Sequence, residues 1–417
     1  MDWSPQPPQN AVAEPLALDG GRPVRASLLP YARQSVDTAD IAAVVDVLQS
    51  DWLTTGPKVA EFERSFAAAV GALEAVAVSS GTAALHAAIH ALAIGPGDEV
   101  VVPALTFAAT ANCVVYSSGR PVFADVDSAT LLLDPTSVER LITPRTRAVL
   151  AVDYAGQPCD YAALGEIARR HGLALVSDAC HSLGGAYRGR PVGSLADLST
   201  FSLHPAKVIT TGEGGIVTTN DPGLARRMRE FRQHGISLDR PPADGVNGWF
   251  YEQMELGFNY RLTDFQAALG ISQLERLPAF IARRRAIARC YDAAFAGLVG
   301  AKPLAVREDI EQAYHLYVLR LDRERLAADR ATIFRALRAE GIGVQVHYIP
   351  VHLHPYYQQH FATRPGLCPT AEAAYEQIIS LPIFPGMTDP DVADVIAAVH
   401  KVLDHFTKEA RPQGRRL

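Results

Sequence analysis

The sequence predicts an α/β protein with a large, mostly parallel sheet and a smaller C-terminal α/β region. Short continuous apolar runs recur along the first half of the chain, separated by stretches with helical spacing, and such runs are typical of strands buried on both faces. The runs lie at residues 75–78, 100–102, 122–124, 149–152, 173–176, 200–202 and 216–219. We therefore expect a seven-stranded sheet that is covered by helices on both faces.

The chain is expected to divide into three parts. Its 417 residues are enough for two domains. Residues 1–28 contain the sequence SPQPPQ and predict a flexible N-terminal arm. A large domain is expected over residues 29–260 and a small C-terminal domain over residues 261–417. We expect the small domain to contain strands at 316–321 and 344–348 and a last helix at 390–406.

Composition argues against several classes of protein. The 39 basic and 45 acidic residues give a net charge of −6, which disfavours a nucleic-acid partner. The 5 cysteines are odd in number and lack metal-ligand spacing, so we expect reduced cysteines, no metal site and a cytoplasmic protein. No basic and apolar leader is visible, and the uncharged stretch 75–95 fits a strand, a turn and a helix better than a membrane span.

Small residues at the start of the helix after the first strand form a candidate anion site. Ser79-Ser80-Gly81-Thr82 separates the run 75–78 from an Ala- and Leu-rich helix over residues 83–93. The first N–H groups of a helix have no helical acceptor, and the helix dipole favours an anion there. A phosphate fits this position, and the alternative is an ordinary helix cap by serine or threonine.

An acid and a lysine further along suggest the chemistry. Asp178 ends the fifth apolar run, and Lys207 has uncharged neighbours and precedes the glycine-rich loop 211–215. A partly desolvated lysine can hold an aldehyde cofactor as a Schiff base, and a carboxylate facing the ring nitrogen keeps a pyridine protonated. The loop would let the backbone approach a bulky cofactor. These residues predict an enzyme that uses pyridoxal phosphate on Lys207, the alternatives being a surface lysine and a capping or salt-bridged aspartate.

Three other residues are candidates for contacts with this cofactor. His181 could pack beside the ring or bond its phenolic oxygen, Phe107 could stack on the ring, and Ser202 could offer its hydroxyl to the phosphate. Structural roles in the core are the alternatives. Because ligands of parallel sheets gather beyond the carboxyl ends of the strands, we expect these residues to converge.

Five motifs together resemble one family. They are SSGTAAL (79–85), TFAATAN (106–112), SDACHSLG (177–184), FSLHPAKVITTGEGG (201–215) and GFNYRLTDFQAALG (257–270). Their combination is similar to the sugar aminotransferases of the DegT/DnrJ/EryC1/StrS family, from about residue 30 to the last helix. The resemblance implies the pyridoxal-phosphate-dependent transferase fold of type I, as in aspartate aminotransferase.

The resemblance also implies roles for individual residues. Lys207 resembles the Schiff-base lysine, Asp178 the partner of the ring nitrogen and Phe107 the stacking aromatic. The implied phosphate-binding residues are Gly81, Thr82, Ala83 and Ser202, and His181 stands where the family commonly has Gln or His. Asn259 resembles a residue that reaches the phosphate of the other subunit, which implies a homodimer with shared active sites.

A narrower resemblance concerns the substrate. PYARQSVD (30–37), VDYAGQP (152–158) and VQVHYIPVHLHPYYQQHF (344–361) are similar to the branch that, in pseudaminic acid biosynthesis, moves the amino group of L-glutamate to C4 of a UDP-linked 4-keto-6-deoxy-N-acetylhexosamine. Gln157 departs from the lysine of some members of that branch. The implied substrate contacts are Thr55, Tyr154, His347 and Tyr348, and the last two could instead be a buried strand end.

Other functions stay open at this point. The first alternative is an aminotransferase of the same family that acts on a different nucleotide-linked 3- or 4-keto sugar. A sugar dehydratase of this type would have histidine in place of Lys207, and a cofactor-binding regulator would need a DNA-binding segment that we do not recognise. A nicotinamide-dependent oxidoreductase would need a G-x-G-x-x-G motif after an early strand, which we do not find.

Overall fold

A computed structural model describes residues 15–237 and 249–408 of the chain. The strands are β1 (Glu74–Val78), β2 (Glu99–Pro103), β3 (Arg120–Ala124), β4 (Thr146–Val152), β5 (Ala174–Asp178), β6 (Ala186–Tyr187), β7 (Arg190–Pro191), β8 (Leu198–Ser202), β9 (Gly215–Thr219), β10 (Ile236–Ser237), β11 (Glu252–Gln253), β12 (Ala301–Pro303), β13 (Ile310–Glu311), β14 (Tyr317–Leu321) and β15 (Ile378–Leu381).

Helices alternate with these strands. They are α1 (Thr38–Leu48), α2 (Pro57–Val70), α3 (Gly81–Ala91), α4 (Ala108–Tyr116), α5 (Pro135–Leu141), α6 (Tyr161–His171), α7 (Pro222–Phe231), α8 (Asp264–Glu275), α9 (Leu277–Phe295), α10 (Arg330–Ala339), α11 (Pro355–Phe361), α12 (Pro369–Tyr375) and α13 (Asp389–Phe406). None of the helices within the described ranges is both long enough and apolar enough to cross a bilayer.

The large sheet has seven strands in the order β1-β9-β8-β5-β4-β2-β3. Strands β8, β5, β4, β2 and β3 are parallel to one another, whereas β9 runs antiparallel to both of its neighbours, β1 and β8. All seven strands that the apolar runs predict are present. The prediction of a mostly parallel seven-stranded sheet is therefore confirmed.

Helices cover this sheet on both faces, as the continuous apolar runs predict. Val76 and Val78 of β1 pack in one hydrophobic cluster with residues of α3, such as Ala84 and Ile89. The alternate residue Ala77 packs in a second cluster with α2, α8 and α9. Because successive side chains of a strand point to opposite faces, each strand needs apolar residues at every position.

A second, three-stranded antiparallel sheet lies in the C-terminal part, in the order β12-β14-β15. It shares a hydrophobic cluster with α9, α10 and α13. Helix α9 joins the two regions, because Phe280 near its start packs in a cluster of the large sheet and Tyr291 near its end packs against the small sheet. The boundary at residue 261 stays a prediction, since α8 and the start of α9 pack against the large sheet.

The prediction of a strand over residues 344–348 is wrong. Only Gln345 pairs with the sheet, through its N–H to the carbonyl of Ser380 at 3.1 Å and the return bond at 2.8 Å. Beyond this bridge the segment leaves the edge of β15. Its apolar alternation reflects burial of side chains such as Val344, not a continued ladder of backbone hydrogen bonds.

The expected loose arm over residues 1–28 is anchored at several points between residues 15 and 28, although most of these residues are exposed, and residues 1–14 lie outside the described residues. The side chain of Leu16 is fully buried. The buried Glu340 carboxylate accepts hydrogen bonds from the backbone N–H groups of Ala17 at 2.8 Å and Val24 at 3.0 Å. A carboxylate in the core needs such donors, so it holds this segment against the small sheet region.

Candidate active site

The predicted site residues converge on one cavity of about 380 Å³ at the carboxyl ends of the strands. Asp178 and Ser202 are the last residues of β5 and β8, and Phe107 follows β2. The predicted residues that line the cavity are Gly81, Thr82, Phe107, Asp178, His181, Ser202, Lys207, His347 and Tyr348. Side chains from distant parts of the chain therefore meet where the sequence analysis expects them.

Lys207 lies in the connection between β8 and β9. Its backbone N–H donates to the carbonyl of His204 at 2.8 Å, which closes a tight turn beneath the side chain. Burial lowers the pKa of the Lys207 ammonium group, against the opposing influence of Cys180 and Asp178. A lowered pKa leaves more of the amine unprotonated, and only the unprotonated amine can attack an aldehyde carbon.

Asp178 presents a buried carboxylate to the same cavity. The Thr110 hydroxyl donates to its Oδ2 at 2.7 Å, and the Cys180 N–H approaches its Oδ1 at 3.3 Å. The side chain is only 6% exposed. A carboxylate with few donors in a buried position retains acceptor capacity for a protonated ring nitrogen.

The first turn of α3 and the end of β8 form a narrow cradle. A Cβ added at Gly81 would stand 2.7 Å from Ser202 Cβ and 3.1 Å from its Oγ, so only glycine permits this approach. The N–H groups of Gly81 and Thr82 belong to the first turn and lack helical acceptors. A hydroxyl and free N–H groups at a helix N-terminus fit a phosphate group.

Ser80 is an ordinary helix cap, because its Oγ accepts from the N–H of Ala83 at 3.1 Å. Ala83 is predicted as a phosphate-binding residue, but it does not line the cavity and its N–H is taken by this cap. The capping interpretation is therefore correct for Ser80. The candidate phosphate contacts are reduced to Gly81, Thr82 and Ser202.

The glycine-rich loop makes close contacts within the protein, and its approach to a cofactor stays a prediction. A Cβ at Gly214 would stand 2.2 Å from Thr211 Oγ1, and one at Gly215 would stand 2.2 Å from the carbonyl oxygen of Ser80. The glycines thus permit close packing of the loop on itself and of β9 against the start of α3. They shape the site through protein contacts.

Histidines and a tyrosine form the opposite wall. His181 Nε2 lies 3.0 Å from the Tyr348 hydroxyl, and its ring centroid is 4.4 Å from that of His315. Burial lowers the pKa of His181 and His315 well below the ordinary value, and it lowers the pKa of His347 to about 4. These rings are therefore uncharged at neutral pH, and His181 offers a flat apolar face to the cavity.

Besides Ala83, three predicted substrate or cofactor residues lie outside the cavity. Tyr154 is fully buried and donates its hydroxyl to the His347 carbonyl at 2.5 Å, so it supports the wall from behind. Thr55 and Asn259 are exposed on the surface. The contact of Asn259 with a partner's phosphate stays a prediction, as does the substrate contact of Thr55.

Gln157, the departure from the pseudaminic acid branch, is also remote from the cavity. Its side chain is fully buried, donates to the Ala305 carbonyl at 3.1 Å and accepts from the Arg307 N–H at 2.8 Å. The glutamine therefore joins two backbone segments. Its side chain does not line the cavity.

The sequence analysis misses several cavity residues, notably Tyr31, Thr106, Thr110 and His315. Thr106 lies just before the N-cap residue Phe107, Thr110 lies in the first turn of α4, and their hydroxyl oxygens are 2.8 Å apart. Both threonines are part of the motif TFAATAN, which was the available signal. His315 carries no local signal, because only the packing of the chain before β14 brings it to His181.

The mostly parallel sheet covered on both faces, with Lys207 and the Asp178 carboxylate at its carboxyl edge, is the arrangement of a pyridoxal-phosphate-dependent enzyme of fold type I. The model of the DegT/DnrJ/EryC1/StrS aminotransferase family matches residues 34–400, and the chain belongs to this family. It is a sugar aminotransferase that depends on pyridoxal phosphate.

Individual relatives agree with this assignment. The chain is 43% identical over 381 residues to the spore coat polysaccharide biosynthesis protein SpsC of Bacillus subtilis (strain 168), covering 91% of this chain and 98% of SpsC. It matches PseC of Helicobacter pylori, an aminotransferase involved in the biosynthesis of pseudaminic acid, with 32% identity, a TM-score of 0.85 and coverage of 91% and 100%. Spr1654 of Streptococcus pneumoniae in its PLP form matches with 32% identity, a TM-score of 0.85 and coverage of 91% and 99%.

Proposed function

We propose that this aminotransferase moves the amino group of L-glutamate to C4 of a UDP-linked 4-keto-6-deoxy-N-acetylhexosamine, the amination step of pseudaminic acid biosynthesis. The observation that carries the proposal is the likeness to PseC over all of that chain. The segment around His347 and Tyr348, which resembles the same branch, lines the cavity beside Lys207. It is thus in a position to contact a sugar.

Each residue of the site then has a definite task. Bound pyridoxal phosphate supplies an electrophilic aldehyde carbon and a ring that accepts negative charge. Lys207 Nζ takes the proton from Cα of the amino donor and, in the second half-reaction, delivers a proton to C4 of the sugar. Asp178 would hold a proton at the ring nitrogen, Gly81, Thr82 and Ser202 would bind the phosphate, and Phe107 and His181 would pack against the ring.

We further propose a cytoplasmic homodimer with shared active sites. Large apolar side chains are exposed just before Asn259, namely Trp249 (74%), Tyr251 (62%) and Leu256 (79%). Such a concentration is typical of a surface that another chain covers. All 5 cysteines are free thiols, which supports a reducing compartment.

Complementation tests the shared site. In the proposed dimer, each active site takes Lys207 from one subunit and Asn259 from the other. When Lys207→Ala and Asn259→Ala chains are co-expressed, each heterodimer therefore has one active site with both residues intact. If each variant alone is impaired, random mixing should restore about a quarter of the wild-type activity in a two-fold dimer. No restoration, or a monomer in light scattering, would contradict the proposal.

An absorbance titration tests the reaction itself. Glutamate added to the purified holoenzyme should remove the visible absorbance band of the cofactor, and UDP-4-keto-6-deoxy-L-N-acetylaltrosamine should restore it. The two changes report the two half-reactions separately. Loss without return would keep the aminotransferase and reject this sugar as its substrate.

A second candidate substrate is a different nucleotide-linked 3- or 4-keto sugar. The greater identity to SpsC, 43% against 32% for PseC, favours it. The same titration decides between them when other nucleotide-linked keto sugars are added in parallel. The true substrate should restore the band at the lowest concentration.

A further inference from the structure

Two buried threonine hydroxyls form a relay behind Asp178, and the reaction described above gives them no task. Thr106 Oγ1 lies 2.8 Å from Thr110 Oγ1, and Thr110 Oγ1 lies 2.7 Å from Asp178 Oδ2. Thr106 is 2% exposed and Thr110 is fully buried. The relay joins the start of α4 to the end of β5 across the floor of the cavity.

The direction of the hydrogen bonds follows from the proton count. An ionised carboxylate can only accept, so Thr110 donates its single hydroxyl proton to Asp178 Oδ2. Thr110 Oγ1 then accepts from Thr106, whose hydroxyl is the only proton available between the two oxygens. Each bond polarises the next, and in a buried place the charge-assisted bond to the carboxylate is the stronger one.

The relay restrains how the carboxylate can turn. Asp178 Oδ2 is held by Thr110, whereas Oδ1 has only the long contact with the Cys180 N–H at 3.3 Å. The backbone of Asp178 is itself held, because its carbonyl accepts from the Asp153 N–H at 3.1 Å. With the backbone and one oxygen held, the other oxygen keeps a constant direction and spare acceptor capacity.

Helix α4 also carries a second contact of the site. Phe107, its N-cap residue, is 59% exposed and lines the cavity one residue after Thr106. The Thr110 N–H donates to the Phe107 carbonyl at 3.1 Å, so the first turn of α4 holds both the hydroxyl next to Asp178 and the aromatic residue that lines the cavity. The distance between these two contacts is therefore set by the helix.

We propose that Thr110 is a positioning residue that orients the Asp178 carboxylate toward the ring nitrogen of pyridoxal phosphate, with Thr106 as the donor that sets the direction of its hydroxyl. This inference deepens the proposed function and rests on the contact between Asp178 and the ring nitrogen. It predicts that the hydroxyl at position 110, and not merely its volume, controls how the cofactor is bound and protonated.

The test compares Thr110→Val with Thr110→Ser in the holoenzyme. Valine keeps the shape without the hydroxyl, so the cofactor Kd should rise about tenfold. A less protonated ring withdraws fewer electrons, so the pH midpoint of the visible absorbance, which reports the proton at Lys207 Nζ, should rise. Serine keeps the hydroxyl and should behave like the wild type. Wild-type Kd and midpoint in Thr110→Val would overturn the proposal.

Three further variants keep the result interpretable. Thr218→Val removes another buried threonine hydroxyl of the large sheet, which donates to the Gly193 carbonyl at 2.7 Å, and should leave both readouts unchanged. If Thr110→Val fails to fold, Thr106→Val must raise the midpoint, and an unchanged midpoint would overturn the proposal. If Asp178→Asn changes both readouts while Thr110→Val changes neither, only the role of Thr110 fails. An unchanged Asp178→Asn would instead reject the proposed contact with the ring nitrogen.

Discussion

The reactivity of Lys207 depends on how its surroundings change the pKa of its ammonium group. Burial lowers its pKa, while the nearby Asp178 opposes that change. The outcome is an amine that loses its proton more readily than a lysine in water does. A lysine in water would stay charged and unreactive under the same conditions.

Replacing Lys207 should separate cofactor binding from turnover. Lys207→Ala should still bind pyridoxal phosphate through the cradle and Asp178, but kcat should fall by about 10²- to 10⁴-fold or more, since no amine moves the proton. Lys207→Arg should fail as well, because arginine stays protonated. Steady-state assays and equilibrium dialysis of the cofactor measure the two effects. Lys58→Ala, on the surface, is the control, and full activity of Lys207→Ala would reject the assignment.

Gly81→Ala should damage the phosphate cradle. The new Cβ would meet Ser202 Cβ at 2.7 Å, so either α3 or β8 must move. We expect weaker cofactor binding and a loss of about 1 to 3 kcal/mol in the free energy of unfolding. Denaturant unfolding and cofactor titration measure both. Gly165→Ala on α6, where a Cβ meets nothing within 4 Å, should be neutral or stabilising, and equal effects of the two changes would contradict the steric argument.

For individual residues, the sequence predicts a place in the site where the residue ends or follows a strand of the parallel sheet. Asp178, Ser202 and Lys207 could be placed because the carboxyl ends of parallel strands meet at one edge. Tyr154 was misplaced because the sequence does not show which way a side chain leaves a turn. His315 could not be found, since its contact with His181 depends on packing between segments far apart in the chain.

Helix α9 holds the floor of the site through Arg284. This fully buried side chain donates to the carbonyls of Tyr314 at 3.1 Å, His315 at 3.4 Å and Ile383 at 2.9 Å. All three bonds come from Nη1, which thus serves carbonyl groups that need a donor in the core. One helix thereby fixes the position of His315 beneath His181.

Arg284→Met should destabilise the protein strongly. Methionine replaces the apolar volume but leaves the carbonyls without a donor, so we expect a loss of about 2 to 4 kcal/mol in the free energy of unfolding. Arg289→Met changes an exposed arginine of the same helix and should stay within about 0.5 kcal/mol of the wild type. Denaturant melts give the comparison, and similar values for both variants would refute the role of Arg284.

Elements with a strong apolar pattern could be predicted, and the segment 344–348 shows where the pattern misleads. Val344 is buried and Val346 is half-buried, whereas Gln345 between them is exposed, and this local alternation imitates a strand. Their burial comes from the region between the two sheets, where backbone pairing stops after Gln345. Periodicity reports which side chains are buried and not which backbone groups pair.

The whole molecule should lose stability in mild acid. His181, His315, His347 and His86 have pKa values below the ordinary one because they are buried, with His347 and His86 at about 4. Between about pH 6.5 and pH 4 the unfolded chain therefore binds more protons than the folded chain. The free energy of unfolding should fall as the pH falls through this window, by at most about 1.4 kcal/mol per pH unit for each histidine.

Thermal unfolding of His86→Gln measures how much one histidine outside the cavity contributes to the pH dependence of stability. Its Tm should depend less on pH between 7 and 5 than the wild-type Tm, because one buried titrating group is gone. His360→Gln removes an exposed histidine and should leave the slope unchanged. An unaltered slope in His86→Gln would contradict the argument.

The antiparallel strand β9 has a consequence for the speed of the chemistry. Ser202 pairs directly with Gly215, and the Leu203 N–H donates to the Gly214 carbonyl at 2.9 Å, so the connection that carries Lys207 is closed at its base. The amine can therefore change place only by rotation about its own side-chain bonds. Side-chain rotations are in general faster than domain motions, which take microseconds to milliseconds. We expect that backbone motion does not limit the rate of proton transfer. Sugar entry and product release are then the slow steps of each cycle.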